Sequence, residues 1–131
     1  MSENANKWGS AALGRHGNIE IDLDQPVADD GPWRLQISGR DWQFAFDVPG
    51  AKSARELSAF VKQHAGRNVF AEHRTGSFQA ADVVVVKDSE LEDRFWLRIR
   101  GEGQLAEITI HGQDAAAFQK ALEDLVSDLA K

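Results

Sequence analysis

The chain has 131 residues, enough for one domain with a core of its own. It contains no cysteine, which excludes disulfides, thiolate metal sites and cysteine nucleophiles. Its 15 basic and 21 acidic residues leave a net charge of −6, which argues against generic duplex-DNA binding, since that needs a basic footprint. A basic protein partner fits that charge. Apolar residues make up 42% and charged residues 27% of the chain, ordinary values for a soluble globular protein. No apolar run approaches the roughly 20 residues that span a bilayer. Residues 1–17 lack the apolar centre of a signal peptide, so a cytoplasmic protein with no membrane contact is expected.

Residues 1–18 are rich in Ser, Asn, Ala and Gly without a clean period, and Trp8 is the one tryptophan among them. They read as a mobile arm, leaving 19–131 as the single domain. Alternation begins at Ile19: Ile19, Ile21 and Leu23 point one way, Glu20, Asp22 and Asp24 the other, the period of a strand with one wet face. Two prolines, a glycine and Asp29-Asp30 make 25–32 a loop. Trp33, Leu35 and Ile37 mark a second strand, and Trp42, Phe44, Phe46 and Val48 a third, joined by a turn at 38–41 as a hairpin. Beyond Pro49-Gly50, Ser53 and Glu56 fit a capping box. Leu57, Phe60, Val61 and His64 then form one helical stripe that ends near Gly66, predicting a helix over 53–65.

Residues 69–78 read as a strand interrupted at Thr75-Gly76. Val83 to Val86, four β-branched residues in a row, read as a strand buried on both faces. An acidic connection, 88–93, leads to Phe95, Leu97 and Ile99 alternating with Trp96, Arg98 and Arg100. A turn at 101–103 precedes a strand with Ile108 and Ile110. Asp114 then stands where it can cap a helix over 115–130, whose stripe is Phe118, Leu122, Leu125 and Leu129. The expectation is an α+β domain: about seven antiparallel strands in two halves, each half ending in a helix packed on the sheet. The halves echo each other in pattern rather than in identity.

The sequence shows few marks of catalytic chemistry. Gly101-Glu102-Gly103 lacks the remainder of any phosphate-loop fingerprint and sits between two strands. The histidines, His16, His64, His73 and His111, have no metal-ligand spacing, so no metal or other cofactor is expected. His64 suits a helix C-terminus, where the helix dipole favours it. No serine occupies a nucleophile elbow. Carboxylates are plentiful, but acids on solvent faces are the usual state of a soluble protein. The chain therefore reads as a binding protein rather than an enzyme.

Two surface features carry that reading. Acids concentrate in two stretches free of bases: Glu20, Asp22, Asp24, Asp29 and Asp30, then Asp88, Glu90, Glu92 and Asp93. Such fields steer a basic partner and raise its association rate. They also confer solubility and protect sheet edges. The second feature is Trp96 with Arg98 and Arg100 on the wet side of one strand. That combination serves single-stranded nucleic acid, by stacking and phosphate contact, and equally serves protein interfaces. Its plain structural reading is pairing of the arginines with acids on neighbouring strands.

The order of elements, with Trp33 to Val48 leading into 53–60, then Arg94 to Arg100, then Ile108 to Ile110 leading into Asp114 and the Phe118–Leu129 stripe, resembles the small bacterial immunity proteins of the WapI and contact-dependent-inhibition kind. Some of those resemble the Whirly single-stranded-DNA-binding fold. The resemblance implies a cytoplasmic inhibitor that binds one toxin domain, often a nuclease, and masks its active site. It carries no residue-by-residue assignment. The Whirly likeness implies the rival, a single-stranded nucleic-acid binder, and a small protein-binding domain of another kind is the third reading.

Overall fold

The computed structural model describes residues 10–26, 28, 31–89, 93–101 and 104–130. Eight strands follow one another as an antiparallel meander: β1 (Ser10–His16), β2 (Ile19–Asp24), β3 (Trp33–Ser38), β4 (Gln43–Val48), β5 (Ala71–Phe78), β6 (Ala81–Lys87), β7 (Arg94–Gly101) and β8 (Gln104–His111). Helix α1 (Ala51–His64) follows β4, and helix α2 (Gln113–Leu129) follows β8. The molecule is α+β, built as four strands and a helix, twice over. The two halves of the sheet meet weakly, because β4 and β5 share only the register pair Asp47–Ser77.

The period-two residues form the core as their alternation dictates. Ile19, Ile21, Leu23, Leu35, Ile37, Phe46 and Val48 from the first half are buried with Val83, Val85, Phe95, Leu97 and Ile110 from the second. Leu57, Phe60 and Val61 of α1 and Phe118, Leu122 and Leu125 of α2 close over them, each set spaced by three or four as one helical face requires. Val84 and Val86 are buried too, on the opposite side of β6, so the four-valine strand is covered on both faces.

Three details differ from the sequence reading. Ser10–His16 is a strand paired with β2, not part of an arm; Trp8 and the rest of 1–9 lie outside the described residues. Opposite the core residue Ile21 it carries Gly14 rather than an apolar side chain, because Gly14 packs against the backbone of α2, where a Cβ would collide with the Ala121 carbonyl oxygen. Helix α1 starts at Ala51 with Gly50 as its cap residue, two residues before the expected capping box, and Ser53 is buried in its first turn. Helix α2 starts at Gln113 behind Gly112, so Asp114 lies inside the first turn, where its charge suits the helix dipole but makes no cap hydrogen bond. Gly66, at φ 74°, follows the end of α1 as expected of a helix-terminating glycine.

Lys87 is fully buried at the end of β6. Its Nζ donates to the carbonyl oxygens of Arg67 at 2.7 Å and Asp88 at 2.8 Å, and lies 5.9 Å from the centre of the Phe95 ring. It ties the segment after α1 to the end of β6. A charge taken out of water needs partners of this kind. Among the described residues, no helix is long and apolar enough to cross a membrane.

Candidate functional site

The outer face of the first half is a polar surface biased toward one sign of charge. Because Ile19, Ile21 and Leu23 face the core, Glu20, Asp22 and Asp24 face outward. The register sets Glu20 against Ser38, Asp22 against Gln36, and Asp24 against Arg34. Arg34 in turn stands opposite Asp47, and Gln36 opposite Ala45. Within β2–β4 this face carries four carboxylates and one guanidinium, and β1 sets a second base, Arg15, opposite Glu20. Asp47 and Arg34 complete the surface; both were visible in the alternation of their strands, although the acidic runs drew attention elsewhere.

The outer face of the second half carries more charge and no net bias. Arg74 donates from Nε to Asp82 at 2.8 Å, and Arg98 donates from Nε to Glu107 at 2.6 Å. Arg94 reaches Asp88 at 3.4 Å. Arg100 forms a two-armed contact with Glu72, two strands away across β6. This contact holds the Glu72 carboxyl below the usual carboxylate range and pushes the Arg100 guanidinium up. Four arginines thus meet four acids, each in a one-to-one pair. Trp96 is half-buried in their midst, with the Arg98 guanidinium 4.5 Å and that of Arg94 5.8 Å from its ring centre. Val84 and Val86 lie buried on this face, opposite Arg98 and Trp96 in register.

The structure therefore separates the residues singled out from sequence. Asp22 and Asp24 share the acidic face of β2–β4. Trp96, Arg98 and Arg100 share the paired face of β7, where they take the cross-strand form of the plain structural reading. Asp88 is 8% exposed and holds Arg94, so it is a structural acid rather than a loop charge. Asp93 is exposed at the start of β7. Asp29, Asp30, Glu90 and Glu92 lie outside the described residues.

Two further clusters bring together residues distant in sequence, although Phe60 and His64 already share one helical stripe. Phe60 is flanked by two histidine rings, His64 at 4.6 Å and His73 at 5.3 Å between ring centres. The Nδ1 of His64 lies 2.8 Å from the Phe60 carbonyl oxygen, four residues back. Burial pushes the His73 imidazole below its usual range, against an opposing pull from Glu56. At one end of the sheet, a cleft of about 460 Å³ is lined by Asn18, Arg40, Asp41 and Trp42 from the first half and by 111–114 at the head of α2. Both signs of charge line it.

Compared with protein-family models, with curated proteins and with solved structures, the chain finds no match in any of the three.

Proposed function

We propose that this chain is a binding protein of the immunity type, which neutralises a toxin domain by presenting the outer face of β2–β4 to a basic surface on it. The observation that carries the reading is the register of Glu20, Asp22, Asp24 and Asp47 on the outer face of β2–β4, four acids against Arg34 in β3 and Arg15, which stands opposite Glu20 in β1. A fixed field of one sign attracts a basic partner before contact and rejects an acidic one. A toxin domain that acts on nucleic acid has such a basic surface at its substrate site, so an acidic sheet laid across it blocks the substrate by occupying its place. Small residues between the acids, Ser38 and Ala45 among them, let that face approach closely.

The pairing on the other half of the sheet works against the nucleic-acid reading. A phosphate reaching Arg98 or Arg100 must displace Glu107 or Glu72, each already bonded to it. Trp96 is likewise engaged by two guanidinium groups.

The test is affinity capture from an extract of the cells that encode the chain, with bound proteins identified by mass spectrometry and the purified pair then titrated. The reading expects near-equal amounts of one basic protein domain, whose toxic activity stops at one equivalent. Recovery of nucleic acid, or of a partner whose activity persists when saturated, overturns it.

A further inference from the structure

The eight-stranded sheet has two edges, and they are built differently. β1 carries a register shift between Ser10 and Ala12 and packs along α2. β8 has no register shift and meets α2 far less than β1 does. Its eight residues pair with β7 in one unbroken register, from Arg94–His111 to Gly101–Gln104. It holds no proline and no lysine. Ala106, Glu107, Thr109 and His111 are exposed, and Ile108 is only half-buried. Among the described residues, none of its backbone groups bonds outside the ladder of the sheet. A long edge strand in continuous register is a template for another strand.

We infer that β8 pairs with β8 of a second copy of this chain, antiparallel about a two-fold axis at Thr109. The choice of occupant and register follows from the side chains. A two-fold axis perpendicular to the sheet keeps core side next to core side, and the candidates for its centre are Glu107, Ile108 and Thr109. Centred on Glu107, the two carboxylates stand directly opposite each other, which repels. Centred on Ile108, they become diagonal neighbours. Centred on Thr109, Glu107 faces the partner's His111, Ile108 faces the partner's Ile110, and Thr109 faces itself. Each of these is a favourable cross-strand pair, and the Glu107–His111 pair occurs twice. Glu107 uses Oε2 for Arg98, which leaves Oε1 for the imidazole across the axis. The stretch from 107 to 111 therefore complements itself, as a two-fold contact requires.

The chain's lack of cysteine makes the test clean. Residues directly opposite on antiparallel strands have Cα atoms within reach of a disulfide. Under mild oxidation, Thr109→Cys is expected to form a covalent dimer far faster than Gln43→Cys, which is exposed on β4 and away from the edge. Thr109→Lys places two ammonium groups on the axis and is expected to weaken association by about tenfold or more, read by sedimentation equilibrium, with its circular dichroism unchanged. A wild-type chain that remains monomeric at the concentration of an NMR sample overturns the proposal. So does equal cross-linking of the two cysteine variants, or an undiminished dimer in Thr109→Lys.

Discussion

The two halves of the sheet share an architecture and differ in what their outer faces do with charge. On β5–β8 each arginine holds a carboxylate, and the face is electrically balanced. On β2–β4 four carboxylates share the face with Arg34, β1 adds Arg15 opposite Glu20, and the face keeps an acidic excess. The difference teaches that a charged residue on a wet strand says little until its cross-strand neighbour is known. Paired charges act as staples within the sheet, and an excess of one sign gives a face a field of its own.

The largest expected effect is on that projected field. Reversing Asp22 and Asp24 to lysine together should slow association with the captured partner by about tenfold or more at low salt, and by less as salt rises. Stopped-flow mixing across a salt series reads this. Matched reversal of Glu107 and Glu72 should instead lower the stability of the free chain, because it breaks staples. An equal loss of association rate in both variants erases the distinction between the faces.

Next in size is the buried staple at the end of β6. Lys87→Met leaves the Arg67 and Asp88 carbonyl groups without its ammonium donor. It should cost about 2 kcal/mol in urea unfolding, the scale of leaving buried acceptors unsatisfied. An unchanged midpoint would show that water replaces the ammonium.

A smaller effect follows from His73, whose folded-state imidazole is harder to protonate than that of the unfolded chain, chiefly through burial. Below the unfolded value of about 6.5 the unfolded chain binds the proton first, so stability falls as pH drops through that value toward the lower folded one. The urea midpoint should decline as pH falls through the unfolded value of about 6.5, and His73→Gln should flatten the decline. The same slope in both proteins assigns the proton elsewhere. At still lower pH, protonation of Glu72 removes its contribution with Arg100, because that carboxyl's folded value is depressed.

The smallest effect is that of a single exposed staple. A double-mutant cycle on Arg98 and Glu107, each changed to alanine, should give a coupling of about 0.2–1 kcal/mol, the range for solvent-exposed pairs. Zero coupling would reduce the balanced face to a coincidence of geometry.

Strands with one wet face were readable because burial writes a period of two into the sequence, as Ile19, Ile21 and Leu23 show. The four valines of β6 were readable for the related reason that a strand covered on both sides has no wet positions. β1 was not readable, because the demand on Gly14 comes from the approach of α2, more than 100 residues away in sequence. The start of α1 was misplaced because Ser53 and Glu56 have the spacing of a capping box, yet the chain already turns at Gly50. The acids were legible as acids only. That Asp88 turns inward to Arg94 while Asp22 and Asp24 stay outward depends on strand register, which a single sequence leaves open.

The most direct test is an amide chemical-shift footprint of the captured partner on the isotope-labelled chain. The account predicts the largest changes at 20–24, 34–38 and 43–47, with the amides around Trp96, Arg98 and Arg100 little altered. A footprint centred on β7, with β2–β4 unmoved, would contradict it.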